Sequence, residues 1–151
     1  MTRVAAETVP EAPRPGMFSN ARVHGDQFFL SGMHAGAPGG TVGGADTYLQ
    51  AREAFRRVRA LTEACGAVLD DILVLRVYLT DIADRALVGR ARSEVFSGDF
   101  PCSTLVEVSA LVEPGLKVEI EAHGVIGSHR SIRPTAVADR IHTLERLRKR
   151  S

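Results

Sequence analysis

The sequence predicts one α+β domain in which two helices lie on one face of a mixed β-sheet. Three observations lead to this prediction. The 151 residues match the usual size of a single domain. Apolar residues recur with helical spacing in some segments and with strand spacing in others. These segments follow one another in the order β-β-α-β-α-β-β, which allows both helices to cover the same sheet face.

The chain divides into three parts on composition. Residues 1–16 contain three closely spaced prolines, which exclude a helix interior or a central strand, and we expect an extended lead-in. Residues 17–127 contain all the patterned segments and form the predicted domain. Residues 128–151 are a basic tail, in which a thin apolar stripe predicts a short amphipathic helix. We expect this helix to lie on the domain surface, and the alternative is a role in binding a partner or an anionic surface.

The domain begins with a predicted hairpin and a glycine-rich segment. Phe18–Val23 and Gln27–Ser31 are rich in β-forming residues, and the turn sequence His24-Gly25-Asp26 separates them. Residues 36–44 contain five glycines and predict a flexible loop. This loop lacks the spacing of a phosphate-binding loop, so nothing here indicates a nucleotide site.

Two amphipathic helices follow from spacings of three and four residues. The first runs from Tyr48 to Cys65, where Asp46 can cap its start and Gly66 can take the left-handed conformation after its end. The second covers about residues 84–96, with Gly98 at its exit.

Three further strands complete the predicted sheet. Ile72–Leu79 is almost continuously apolar, which is typical of a strand covered on both faces. Ser103–Ser109 and Lys117–Val125 follow. The last strand alternates clearly. Its polar face carries Lys117, Glu119, Glu121 and His123.

The charge distribution and the cysteine content exclude several classes of function. Residues 1–127 carry 12 basic and 16 acidic side chains, a balance that is unsuited to nucleic acid, whereas the tail has seven basic residues and two acidic ones. Cys65 and Cys102 are too few for a disulfide framework or a zinc site, and the histidines lack metal-binding spacing, so no metal or cofactor is expected. The start of the chain has no signal-like apolar region, and no apolar run approaches about 18 residues, which predicts a cytoplasmic protein without membrane insertion.

Three sequence blocks occur together in a recognisable order and spacing. They are Phe29-Leu30-Ser31-Gly32, Leu69-Asp70-Asp71-Ile72 running to Thr80-Asp81, and Phe100-Pro101 running through Val106-Glu107-Val108 to Glu121-Ala122. Together they cover about residues 17–126 and resemble the RidA (YjgF-like) family. The resemblance implies a chorismate-mutase-like fold and a homotrimer, in which neighbouring subunits cover the second face of the sheet.

The resemblance also implies an activity and a set of site residues. Family members hydrolyse reactive enamines and imines to a keto acid and ammonia at sites between subunits. Glu119 corresponds to the acidic residue near the attacking water, and Ser31 belongs to the Ser-Gly pair of the site. Two positions differ. Ser103 occupies the place of the arginine that grips the substrate carboxylate, and Phe18 stands where a tyrosine is frequent.

Each candidate residue also has an ordinary structural interpretation. Glu119 can transfer protons or belong to a solvated strand face. Ser31 can bind substrate or hydrogen-bond to the backbone of a turn. His34 can be a base or a binding group, or an exposed loop histidine. Cys102 can be a nucleophile or a buried thiol.

We therefore expect a cofactor-independent enzyme that acts on a small imine, enamine or related unsaturated carbonyl compound. Glu119 and a bound water supply the acid–base chemistry, and Ser31 and Ser103 contribute to substrate binding, together with Phe18, His34 and Cys102. The missing arginine favours a substrate without a simple α-carboxylate. The alternative is a non-catalytic trimer that binds a metabolite or a protein.

Overall fold

The computed structural model describes residues 1–12 and 17–130 of the chain. These residues form a six-stranded mixed sheet, a two-stranded hairpin and two α-helices. The strands are β1 (Thr2–Val4), β2 (Ala21–His24), β3 (Gln27–His34), β4 (Gly36–Ala37), β5 (Gly40–Thr41), β6 (Ile72–Leu79), β7 (Cys102–Glu107) and β8 (Val118–Val125), and the helices are α1 (Thr47–Ala64) and α2 (Arg85–Ser93).

The main sheet has the strand order β1-β2-β3-β8-β6-β7. All neighbouring strands are antiparallel except β6 and β7, which are parallel because α2 returns the chain across the sheet. The predicted α+β class, with a mixed sheet and two helices on one face, is confirmed. The predicted hairpin is also present, and Gly25 takes the positive φ of +61° that its turn requires.

The core lies between the sheet and the two helices. Phe28, Leu75 and Ile120 from the sheet are fully buried, as are Phe55 and Val88 from the helices. The ends of α1 are as predicted. The Asp46 carboxylate accepts a hydrogen bond from the Leu49 N–H at 3.0 Å, and Gly66 follows the helix with a φ of +82°.

Two segments differ from the sequence-based expectation. The lead-in contains the edge strand β1, and Val9 and Ala12 are buried in the domain. The glycine-rich segment is not a flexible loop, because β4 and β5 form a short antiparallel hairpin around Pro38 and Gly39. Such short strands depend on their pairing partners and have no periodicity of their own.

Among residues 1–12 and 17–130, the strand β6 is covered on one face only. Ile72, Leu75, Val77 and Leu79 are buried against the helices, whereas Leu73 and Arg76 are exposed on the other side. The expectation that β6 is covered on both faces is therefore not met by the part of the chain that the structure describes.

The described chain ends in a turn, Ser128–Arg130, that is bound to Asp71. The buried Asp71 carboxylate accepts hydrogen bonds from the Val68 N–H at 3.1 Å, the His129 N–H at 3.1 Å and the His129 ring Nδ1 at 2.7 Å. Ordered contacts thus continue three residues beyond the boundary predicted after residue 127. The predicted amphipathic helix of the tail lies outside the described residues.

Across the described residues, no helix combines the length and the apolar character that a membrane crossing requires.

Candidate functional site

A β-bulge interrupts β3 at Ser31 and Gly32. Leu30 pairs with Ala122 and Met33 pairs with Ile120, so two residues of β3 lie opposite Glu121 alone. A bulge of this kind bends the strand and redirects the neighbouring side chains, and bulges are frequent beside active sites. Here the bulge brings Gly32 under the side chain of Glu119.

The Glu119 side chain lies directly against Gly32. A Cβ atom added to Gly32 would lie 2.6 Å from Cδ of Glu119 and 2.7 Å from its Cγ, far inside van der Waals contact. The φ of Gly32 is not positive, so this position does not need glycine for its backbone conformation. It needs glycine because any side chain would displace the carboxylate of Glu119.

Glu119 belongs to a row of three side chains that crosses the sheet. It pairs with His34 of β3 on one side and with Tyr78 of β6 on the other. Residues directly opposite each other on antiparallel strands have Cβ atoms about 4.5–5.5 Å apart. The row therefore places an imidazole, a carboxylate and a phenol next to one another on the face away from the helices.

The two glutamates of β8 differ in their environment. Glu121 forms an ion pair with Arg76 and accepts a hydrogen bond from the Tyr78 hydroxyl at 3.2 Å. Burial and the charge of Glu121 raise the pKa of Tyr78, so its phenol stays protonated. Glu119 has no hydrogen bond or ion pair with any residue in 1–12 or 17–130. Of the two glutamates, Glu119 is therefore the one whose carboxylate remains available to a ligand.

The glycine-rich hairpin orients the ring of His34 through a hydrogen bond. Its Nδ1 accepts a hydrogen bond from the Gly36 N–H at 3.0 Å. The Gly36 carbonyl in turn accepts a hydrogen bond from Nη1 of Arg57 at 2.8 Å, and Nε of Arg57 donates to Glu53 at 2.7 Å. Arg57 is only 5% exposed, so this ion pair with Glu53 lies within the domain.

Two depressions meet at Phe18 and Gly32. The first has a volume of about 410 Å³ and includes His34 and Glu113 in its lining. The second is a broad depression of about 830 Å³ on the outer sheet face, where Ser31 and Glu121 contribute to the lining. The two volumes share Gly32, the residue against which Glu119 lies, so both adjoin the bulge, although Glu119 itself is not among their lining residues.

Four of the six predicted site residues come together. Glu119, Ser31, His34 and Phe18 surround the bulge or line the two depressions beside it. The Ser31 hydroxyl donates to the Ser19 carbonyl at 2.7 Å, a bond to a distant backbone segment and not to a turn of its own. The ring of Phe18 is 51% exposed.

Cys102 and Ser103 do not approach Glu119 within one chain. Both lie on the edge strand β7, and β6 separates this strand from β8. Their parallel partners are Val74 and Leu75, so the two side chains point to opposite faces of the sheet, and Ser103 is on the helix side. Cys102 is exposed, which contradicts the buried thiol of the structural interpretation, whereas Cys65 is buried.

Several residues near the site escaped the sequence analysis. Arg57 lies in the first helix without any motif, yet it is buried, and only its spacing of four from Glu53 indicates the ion pair. Glu113 lies in a loop without any motif. Arg3 and Arg22 face each other across β1 and β2, and their proximity depends on a strand that was not predicted.

His123 has an unusual position on the outer sheet face. Its ring stacks on Phe29 with a centroid separation of 4.3 Å. Its Nε2 atom is buried and has no hydrogen-bond partner among the described residues. Within the same ranges, no group of three potential metal-binding side chains is present.

Comparison with known proteins identifies related sequences and structures. Residues 10–126 match the family model described as endoribonuclease L-PSP. A RutC family protein of Pyrococcus horikoshii is 34% identical over 113 residues, which cover 74% of this chain and 89% of the relative. The 2-iminobutanoate/2-iminopropanoate deaminase of Escherichia coli is 36% identical over 84 residues, which cover 54% of this chain and 65% of that enzyme. A crystal structure of the Pseudomonas aeruginosa protein PA3499 matches with a TM-score of 0.75 and 39% identity, and covers 83% of this chain and 92% of that one.

Proposed function

The chain belongs to the endoribonuclease L-PSP family, which includes the RidA/YjgF-like proteins, and we propose that it hydrolyses a small reactive imine or enamine at Glu119. The observation that carries this proposal is the unpartnered Glu119 carboxylate, which lies against Gly32 at the bulge. The 2-iminobutanoate/2-iminopropanoate deaminases among the relatives support the same reaction class.

The chemistry needs one group that can accept a proton and return it. The Glu119 carboxylate accepts a proton from a water molecule while the water oxygen bonds to the imine carbon, and the nitrogen takes up a proton to give a carbinolamine. The carbon–nitrogen bond then breaks with formation of the carbonyl group, and ammonia leaves. An imine and one water thus give one carbonyl compound and one ammonia, without any cofactor.

The other predicted residues have supporting roles in this proposal. The bond from Ser31 to the Ser19 carbonyl holds the bulge, while the Ser31 oxygen keeps lone pairs that can accept from a substrate. Phe18 supplies an apolar wall. Ser103 and Cys102 lie too far from Glu119 in one chain, so they reach the site only from a second copy.

We also propose that three copies assemble around the outer face of the sheet. Phe29, Leu73 and Val106 are 41%, 45% and 41% exposed there, which is costly for apolar side chains in a small domain. A trimer covers this face and closes the site between subunits.

The test measures the hydrolysis of imines that are generated in place. A flavin amine oxidase supplies neutral imines from primary amines, an amino-acid oxidase supplies imino acids, and release of the carbonyl product is followed against the uncatalysed rate. We expect acceleration for neutral imines and a loss of about a hundredfold or more in Glu119→Gln, because that variant cannot transfer the proton.

The matched control is Glu121→Gln, which alters a carboxylate on the same strand face that is already bound to Arg76. We expect it to retain most of the activity. If the unmodified protein accelerates neither class of imine, the non-catalytic binding module becomes the better interpretation.

A further inference from the structure

The structure fixes which nitrogen of His34 carries the hydrogen. Because Nδ1 accepts the Gly36 N–H at 3.0 Å, the neutral ring has its hydrogen on Nε2. Nε2 has no hydrogen-bond partner within 1–12 and 17–130, and it is not one of the buried unpartnered atoms. His34 therefore presents an accessible N–H donor, and its ring lines the depression of about 410 Å³ beside Gly32.

A buried network holds this arrangement in place. Burying an arginine is unfavourable unless its charge and its donors are paired. Arg57 meets that requirement by pairing with Glu53 and by donating a second hydrogen bond to the Gly36 carbonyl. The N–H of the same Gly36 donates to Nδ1 of His34 and so orients the ring. Gly36 has no space for a side chain, because a Cβ atom there would lie 2.9 Å from Nδ1 of His34 and 3.0 Å from Oε2 of Glu113.

The charges around His34 select for a neutral ligand group. Glu119 is its cross-strand partner, and the Glu113 carboxylate lies on the other side, beside Gly36. Glu53 pairs with both Arg56 and Arg57, so this cluster keeps one positive charge, which is fewer than the two negative charges of Glu119 and Glu113. A carboxylate placed against Nε2 of His34 would meet two like charges, whereas a carbonyl oxygen would accept the N–H without this repulsion.

We propose that His34 binds the substrate by donating its Nε2–H to a neutral carbonyl oxygen, so that the substrate is an imine or enamine next to an amide or ketone. This inference rests on the proposed function for the imine group. The preference for a neutral oxygen is a binding property and does not require turnover.

The experiment compares two stable ligands, pyruvamide and pyruvate, in which the shared ketone takes the place of the imine and the group offered to His34 is an amide or a carboxylate. Dissociation constants are measured by NMR titration of the full chain. We expect pyruvamide to bind about three- to tenfold more tightly than pyruvate, which corresponds to one neutral hydrogen bond. His34→Ala should weaken the binding of pyruvamide by that factor and leave the binding of pyruvate unchanged. His34→Gln should recover part of the lost affinity, because its side-chain amide can also donate a hydrogen bond.

Two further measurements separate a ligand contact from a structural effect. The ¹⁵N resonances of His34 should report the neutral tautomer with its hydrogen on Nε2. Glu113→Gln should strengthen pyruvate binding with little effect on pyruvamide, because only the carboxylate ligand is repelled.

Equal binding of the two ligands, pyruvamide binding that is insensitive to His34→Ala, or a hydrogen on Nδ1 would overturn the inference. Tighter binding of pyruvate that is lost in Arg22→Gln would overturn it in favour of an anion site at Arg3 and Arg22. Imine hydrolysis with binding that does not depend on His34 refutes this inference alone. Binding that depends on His34 in a protein without hydrolytic activity refutes only the proposed function.

Discussion

Replacing Gly32 by alanine adds one methyl group at the point where the Glu119 side chain crosses β3. The methyl carbon would collide with Oε1 of Glu119 and would lie 2.6 Å from its Cδ, so the carboxylate must move by more than about 0.8 Å to reach the 3.4 Å of an ordinary contact. Alanine tolerates the backbone conformation, since the φ of Gly32 is not positive. The substitution therefore moves the proposed acid–base group and changes little else.

The expected magnitudes for activity and for stability differ. A displacement of about 1 Å in a catalytic group can lower the rate by about a hundredfold, so kcat/KM for neutral imines should fall by about that factor. The free energy of unfolding should change by less than about 1 kcal/mol, because the end of the Glu119 side chain can move and alanine restricts the unfolded chain more than glycine does. The double variant with Glu119→Gln should be no slower than Glu119→Gln alone, because both changes act on the same group.

The matched control is Gly124→Ala in the neighbouring strand β8. A Cβ atom there would lie 2.7 Å from Cε1 of the buried Phe28, and even closer to the backbone carbonyl of Asp71. Neither group can move aside easily, so we expect a loss of about 1–3 kcal/mol in stability with an unchanged kcat/KM for the folded fraction. Imine hydrolysis, thermal unfolding and urea unfolding are measured for all variants. Full activity in Gly32→Ala would refute the role that we assign to Glu119.

Three further predictions concern the contact between Asp71 and the turn Ser128–Arg130, the substrate specificity and the oligomeric state. Burial raises the pKa of Asp71, but the hydrogen bonds from His129 and Val68 outweigh this effect and hold the pKa well below its usual range. The ionised Asp71 therefore contributes fully to the free energy of unfolding above about pH 4, and this contribution is lost as the pH falls below that value. Asp71→Asn should cost about 2 kcal/mol in urea unfolding at neutral pH and remove this acid dependence, whereas exposed Asp70→Asn should do neither. Ser103→Arg should raise the rate of imino-acid hydrolysis relative to that of neutral imines by about tenfold or more. If the ratio of the two rates stays the same, the absence of an arginine at position 103 does not set the substrate preference. Sedimentation equilibrium at micromolar concentration should give the mass of a trimer both before and after removal of residues 131–151, and a monomer would refute the assembly.

Local patterns in the sequence determined most of the secondary structure. β6 occupies Ile72–Leu79 as predicted, because a continuous apolar run bounded by polar residues is a local signal. The first helix and both of its end residues, Asp46 and Gly66, also followed from local spacing and backbone chemistry. The strand β1 and the hairpin of β4 and β5 were missed, because strands of two or three residues exist only through their partners.

The candidate site could be predicted only in part from the sequence, and the rest depended on the tertiary structure. The resemblance identified Glu119 and Ser31 from motifs that lie far apart in the chain. The sequence could not reveal the bulge at Ser31 and Gly32, or the pairing of His34 with Glu119, because strand register is set by contacts between distant segments. The sequence did not indicate that Arg57 is buried, because this depends on packing against the glycine-rich hairpin. Periodicity along the chain therefore determined the longer helices and strands, and only the tertiary structure decided which side chains meet, since those contacts join residues that no local pattern connects.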